Sequence, residues 1–409
     1  MIASVVGAIA RKNFNAGLRF DSTQRSVLPI SDGKHERLLY LHIPFCEQLC
    51  PYCSFHRVIF EENLCRAYFS ALRKEILLYK KAGWSFSGVY VGGGTPTVML
   101  DELKETLKLA SNEFPLKSIS VETNPNHLHE DSVKILIDSS VSRLSVGVQS
   151  FDDDLLRKMG RYHKYGSGEE IAQRLKWVNG SFPTVNADMI FNFPTQTNTV
   201  LQTDVETLLA IGISQITYYP LMVSDYSREA MLKALGGKVS YAREKQFYRF
   251  LSERLSKRYH HSSAWCFSQN SNNNTAIDEY IVDFDEYAGI GSGAIGFLRG
   301  TCYANTFSIK DYISLINEGL FPLAATKIFS PADKARYNFM MKLFSTSLSF
   351  RDMEDSWGHV WQELLAFRLA GALKMGHEEI RLTARGRYLW VVLMREFFIA
   401  VNNFRDHCR

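Results

Sequence analysis

Six short apolar runs, separated by longer segments of helical periodicity, set the fold options for this 409-residue chain. The runs are "LLYLHI" (38–43), "GVYVGG" (88–93), "SISVET" (118–123), "RLSVGVQ" (143–149), "TVNADMIFN" (184–192) and "QITYYPLMV" (215–223). Between them lie stretches such as "AYFSALRKEILLYKKAG" and "DELKETLKLASNEF", whose apolar residues recur at helical spacing. Repeated βα units imply a parallel sheet with right-handed crossovers. Six units fall short of the eight of a full barrel. The expectation is an α/β protein with an open, partial (β/α)6 barrel of TIM type. Successive runs end in polar or glycine clusters: "HIPFC", "GGGTPT", "ETNP", "GVQSF" and "DMIFNFP". Parallel sheets place their chemistry at these C-terminal strand ends, so the site is expected there.

The remaining sequence divides around this core. Residues 1–35 form an N-terminal extension, expected as an amphipathic helix packed on the body. Residues 36–230 form the barrel core, 231–325 a flanking substrate region, and 326–409 a small, mainly helical domain of possible winged-helix type. "HHSSAWCFSQNSNNNT" contains an Asn/Ser run that predicts a mobile loop. "EYAGIGSGAIGFL" (286–298) is glycine-rich, which suits either a close backbone approach to a ligand or tight turns.

Seven cysteines are present, and three of them cluster as C-x₃-C-x₂-C at Cys46, Cys50 and Cys53, directly after the first strand. The chain shows no credible secretory leader, because its N-terminal positive charges follow the apolar run rather than precede it. A disulfide framework is therefore not expected, and the cluster asks for a metal in a reducing cytoplasm. Cys65, Cys266, Cys302 and Cys408 have no ligand spacing and read as buried or incidental thiols. Thiolates suit zinc or iron–sulfur clusters. Zinc would need a fourth ligand such as His42 or His56. A [4Fe–4S] cluster held by three cysteines leaves one iron open, whereas an electron-transfer cluster usually takes four.

C-x₃-C-x₂-C after a strand, with "GGGTPT" at the next strand end, resembles the radical S-adenosylmethionine (SAM) superfamily. More narrowly, "YLHIPFCEQLCPYCSF", "VYVGGGTPT", "ETNP", "RLSVGVQSFDDDLLRKMGR" and "DMIFNFPTQT" resemble its oxygen-independent coproporphyrinogen III oxidase-like branch, over roughly 35–325. The resemblance implies that Cys46, Cys50 and Cys53 hold a [4Fe–4S] cluster and that SAM chelates the fourth iron. Reductive cleavage would then give a 5′-deoxyadenosyl radical, with the protein supplying orientation and shielding. It also implies Tyr40 near the adenine and Gly93, Gly94 and Thr95 near the methionine amino group. Glu122 would pair with a cationic group, and Gln149, Arg161 and Asp188 would bond ribose, carboxylate or a second ligand. A reducing donor such as flavodoxin or ferredoxin is implied as partner.

Departures from the branch narrow the expectation. Coproporphyrinogen dehydrogenases carry another cysteine two residues after the third ligand, where this chain has Phe55. Haem chaperones of the branch carry an "HNxNYW" element, where this chain reads "AWCFSQNSNNN". His260 and His261 lie outside that motif and read as a polar surface pair. What remains resembles the class C radical SAM methyltransferases and the haem-opening methyltransferases. Their implied mechanism uses two SAM molecules and leaves a C-methyl group on an sp² carbon. The aromatics Tyr218, Tyr219, Trp265, Phe267, Tyr280, Tyr287 and Phe297 would suit a planar apolar acceptor, menaquinone favoured and a tetrapyrrole as the alternative. A haem carrier, an oxygen-independent porphyrinogen oxidase or a haem-degrading enzyme is the rival reading. A net charge of +4 with no basic recognition stripe argues against nucleic acid. No run reaches the roughly 20 apolar residues of a membrane span.

Overall fold

The computed structural model describes residues 2–17, 27–34, 36–225, 228–269, 283–353 and 356–407. All six apolar runs are strands: β1 (Leu38–Ile43), β2 (Gly88–Gly93), β3 (Ser118–Thr123), β4 (Arg143–Gln149), β5 (Thr184–Phe191) and β6 (Gln215–Pro220). They pair in sequence order, all parallel. This is an α/β fold built on a partial TIM-type barrel with a C-terminal helical domain.

The helices between strands bury one stripe each. In α2 (Glu62–Lys81), Cys65, Tyr68, Phe69, Leu72, Ile76 and Tyr79 face the sheet at helical spacing. Along α3 (Leu100–Glu113), Leu103, Leu107 and Ala110 do the same. Period-two alternation then separates the sheet faces. Leu144, Val146 and Val148 of β4 and Val185, Ala187 and Met189 of β5 join the main core. The opposite residues are polar and also buried. Arg143 Nε donates to Gln215 Oε1 at 2.8 Å, and Thr217 Oγ1 donates to Asn186 Oδ1 at 2.9 Å.

The sheet is wider than six strands. β7 (Tyr259–His261) and β8 (Cys266–Gln269) extend it antiparallel beyond β6. Beyond β1 comes β9 (Tyr287–Ile290), a seventh parallel strand, then antiparallel β10 (Ile295–Leu298), β11 (Thr301–Asn305) and β12 (Leu323–Ile328). Residues 260–269, ahead of the expected mobile Asn/Ser run, are thus largely sheet, with Trp265 and Phe267 fully buried; 270–275 of that run lie outside the described residues. The histidine pair also divides. His260 is exposed, while the His261 ring packs tilted against Phe267 at 4.5 Å and burial pushes its imidazole down to about 3.

The glycines of 286–298 meet protein rather than ligand. A Cβ at Gly289 would lie 2.2 Å from the Ile295 carbonyl, and one at Gly296 would lie 2.2 Å from the Tyr303 ring. They allow β9, β10 and β11 to pack together.

After α12 (Pro331–Phe344), the last segment is not helices alone. Around α13 (Trp357–Leu369), three short strands at Ser347–Ser349, Leu373–Met375 and Glu379–Leu382 form an antiparallel sheet. The long α14 (Ala384–His407) follows and packs against α1 (Ile2–Gly17), as in the Phe14–Phe397 edge contact at 5.5 Å.

Candidate active site

The strand ends of β1 to β6 open into one cavity of about 330 Å³. Cys46, Cys50 and Cys53 line it, together with Tyr40, Gly93, Gly94, Thr95, Glu122, Gln149, Arg161 and Asp188. The residues assigned from the sequence to the cluster and to SAM therefore line the same space.

The cysteine loop leaves β1 through "HIPFC". A short parallel pairing of 45–46 with 58–59 closes it, and Cys53 N–H turns back to the Cys50 carbonyl at 3.3 Å. Arg57 clamps the turn, donating from one Nη to the carbonyls of Cys50 and Cys53 at 2.6 and 2.7 Å. The thiols keep separate environments. Thr95 Oγ1 donates to Cys46 Sγ at 3.7 Å and Arg161 Nη1 to Cys50 Sγ at 3.9 Å. Burial, reinforced by Cys53, pushes the Cys46 thiol up to about 11, while Thr95 and Arg57 pull the other way.

His42 is spoken for elsewhere. Its Nε2–H donates to the His56 carbonyl at 2.9 Å, which leaves Nδ1 to accept from Tyr40 Oη at 2.9 Å. His56 Nε2 meets Ser292 Oγ at 3.2 Å. Among the described residues no three His, Cys, Asp or Glu side chains converge closely enough for a single metal ion. The donor set is three thiols whose histidine neighbours are engaged, which fits a multi-iron cluster better than tetrahedral zinc.

The "GGGTP" turn is shaped first by the protein. A Cβ on Gly93 (φ +115°) would fall 2.7 Å from the His42 ring, and one on Gly94 would fall 2.7 Å from the Phe45 carbonyl. The close approach these glycines permit on their Cβ side is to His42 and the cysteine loop. Their N–H groups are used as well: Gly93 N–H on Glu122 Oε2 at 3.1 Å, Gly94 N–H on Ile43 O at 2.7 Å, and Thr95 N–H on Phe45 O at 2.8 Å. What the glycines can still offer a ligand is carbonyl oxygen, which suits an ammonium rather than a carboxylate.

Glu122 also accepts from Tyr90 Oη at 2.8 Å. Asp188 accepts from Ser145 Oγ and Asn186 Nδ2, both at 2.8 Å. Gln149 sits at φ +77° beside a β-bulge, strained backbone at a strand end. Arg161 is no surface charge. Its guanidinium lies 4.0 Å over the Tyr165 ring and bonds Tyr52 Oη, Asn124 Oδ1 and the Gly147 carbonyl. Burial lowers its pKa, but Tyr52 and Cys50 outweigh that and hold it charged. Its Nε–H, fully buried, has no partner among the described residues. An orphaned cationic donor beside a carbonyl rim fits the carboxylate and ammonium of an amino-acid group such as that of SAM.

Sequence reasoning missed Asn124, Tyr52, Arg57 and Tyr90. Asn124 stood inside the quoted "ETNP", and its position after a strand end was the available signal. Of the suggested aromatics, Tyr219, Tyr287 and Phe297 line the cavity, whereas Tyr218, Trp265 and Phe267 are core. Tyr280 lies outside the described residues. Cys302 also lines the cavity, and α14 contributes Phe397, Phe398, Phe404 and Arg405.

A model of the "Radical SAM superfamily" matches residues 40–243. The chain is 31% identical over 289 residues to "Heme chaperone HemW" of Lactococcus lactis subsp. lactis (strain IL1403), covering 67% of this chain and 73% of that protein. It is 28% identical over 317 residues to "Heme chaperone HemW" of Bacillus subtilis (strain 168), covering 75% and 83%. The solved structure of coproporphyrinogen III oxidase (HemN) from Escherichia coli aligns with a TM-score of 0.70 at 21% identity, covering 88% of this chain and 90% of that one. With the strand-end cysteines and matches of this extent, the chain belongs to the radical SAM superfamily, in its HemN/HemW-like branch.

Proposed function

We propose that this chain is a radical SAM protein that takes a tetrapyrrole into the cavity shared by its cysteines and aromatic wall. The observation that carries the reading is the make-up of that one space. One side offers thiols, carbonyls and Arg161. The other offers rings from β6, β9, β10 and α14 that suit a flat apolar partner.

Cys46, Cys50 and Cys53 would hold a [4Fe–4S] cluster. The Gly93–Gly94 carbonyls, Glu122, Gln149, Arg161 and Asp188 would hold SAM, with Tyr40 against its adenine. When bound and reduced, this pair of cofactors supplies a 5′-deoxyadenosyl radical. Arg161 would orient the carboxylate end, Ser145 and Asn186 would keep Asp188 aimed at the cavity, and the α14 rings would exclude water. Relatives named as haem chaperones, and a structural relative named as coproporphyrinogen III oxidase, weigh toward a tetrapyrrole and away from menaquinone. They favour haem carriage or tetrapyrrole chemistry over the C-methyl transfer expected from the sequence.

The test uses anaerobically reconstituted protein, dithionite and methyl-deuterated SAM, with haem, coproporphyrinogen III and menaquinone as separate partners. Stoichiometric haem binding, seen as a Soret shift, or a mass-changed tetrapyrrole is the expected result. Deuterium in 5′-deoxyadenosine with a methylated menaquinone would reinstate the methyltransferase and remove the tetrapyrrole reading.

A further inference from the structure

Asn124 ties two of the three cysteines together through a chain of hydrogen bonds whose directions are fixed. Arg161 can only donate, and its Nη2 reaches the Asn124 side chain at 3.2 Å, so the atom there is the amide oxygen. That leaves Nδ2 of Asn124 facing Thr95 Oγ1 at 2.9 Å, as donor. A hydroxyl that accepts from the amide turns its own proton away, and the other partner at hand is Cys46 Sγ at 3.7 Å. Arg161 closes the circuit through Nη1, which lies 3.9 Å from Cys50 Sγ. Thr95, Asn124 and Arg161 are all buried, so water does not compete for these groups. Cys53 has its own donor in the Phe55 backbone amide.

We propose that Asn124 is a positioning residue that aims the Thr95 hydroxyl proton at Cys46 and thereby raises the reduction potential of the cluster the three cysteines would hold. Donors to the ligating sulfurs stabilise the more negative, reduced state, which is how hydrogen bonding tunes such clusters. The inference rests on the cluster reading and extends it to a residue with no ligating atom.

The test compares reconstituted wild type with Thr95→Val, Asn124→Leu, the double variant and Thr95→Ser. Iron and sulfide per chain are measured first, then the midpoint potential by EPR during titration with dithionite. Loaded Thr95→Val and Asn124→Leu should both be harder to reduce. The reduced-to-oxidised ratio at a fixed poise should fall about tenfold, which is about 59 mV for one electron. The double variant should shift no further than Thr95→Val, because both changes remove the same aimed proton. Thr95→Ser should keep the wild-type potential. Unchanged potentials, or shifts that add in the double variant, overturn the proposal. If Asn124→Leu does not load, equal potentials for Thr95→Val and Thr95→Ser overturn it. A chain with all three cysteines changed to alanine that still binds wild-type iron would instead overturn the cluster reading.

Discussion

Asp204, on the helix α8 (Asn198–Ile211), holds the turn after β4 from below, accepting from Phe151 N–H at 2.7 Å and from Ser150 Oγ at 2.9 Å. Those bonds keep the strained Gln149 at the cavity. Burial nevertheless pushes the Asp204 carboxyl up to about 7, against about 3.9 in an unfolded chain. Between those values the folded state binds more protons than the unfolded one. Stability therefore falls as pH rises through this window, by at most about 1.4 kcal/mol per pH unit. Asp204→Asn keeps both bonds, since its amide can accept from Phe151 and donate to Ser150. Its urea midpoint should decline less than wild type between pH 4 and 7 and should lie higher at pH 8. Parallel profiles would mean that Asp204 carries no such proton. Glu75, also pushed to about 7 by burial, is common to both chains and cancels. Among the thiols, Cys50→Ala should abolish 5′-deoxyadenosine formation and leave far-UV circular dichroism unchanged. Cleavage near the wild-type rate would sink the assignment of Cys50 to the cluster.

The strands of the barrel were legible at the scale of elements because each is a continuous apolar run buried by helices. Their polar ends marked the cavity for the same reason: Glu122 and Asp188 have no place inside such a run unless something there uses them. β7 to β12 were not legible. In β9 and β10 glycine replaces side chains where neighbours crowd, so the periodic signal disappears. In 260–269, polar Ser263 and Ser268 are buried with their hydroxyls bonded, Ser263 accepting from Cys266 N–H across the turn and Ser268 from Gln215 of β6. Residue spacing could not reveal Asn124 either, since its part depends on Thr95, from the end of β2, and Arg161, from the start of a short helix well beyond β4. The same limit applies to Arg57, whose charge reads as surface until the loop folds over it. Arg57→Gln removes two carbonyl bonds from the Cys50–Cys53 turn. Reconstituted iron should then be stripped several-fold faster by a chelator, while the melting temperature moves little. Wild-type stripping kinetics would show that the turn holds without the clamp.

Three elements distant in sequence close the molecule around its cavity. α14 supplies part of the wall, α1 packs behind it, and α10 (Tyr241–Leu255) meets it from the barrel side. Their contact contains charge. Arg395 pairs with Glu244 of α10 and with Glu396 at 2.7 Å, and Arg11 of α1 reaches Glu396 Oε2 at 2.6 Å. Glu244 is fully buried; desolvation raises its carboxyl, and Arg395 and Tyr388 pull it back. A buried ion pair adds little over an apolar one, but losing one partner strands the other. Arg395→Met should therefore cost about 3–5 kcal/mol in urea unfolding. Arg395→Met combined with Glu244→Gln should recover a large part of that loss, because the stranded charge is gone. A single variant within about 1 kcal/mol of wild type would show that water reaches Glu244. Phe397 and Phe398 follow Arg395 within one helical turn, so ring placement in the cavity depends on the same anchor. The single variant should for that reason weaken the proposed tetrapyrrole binding more than the double one does, a difference that a general loss of stability at saturating protein would not produce.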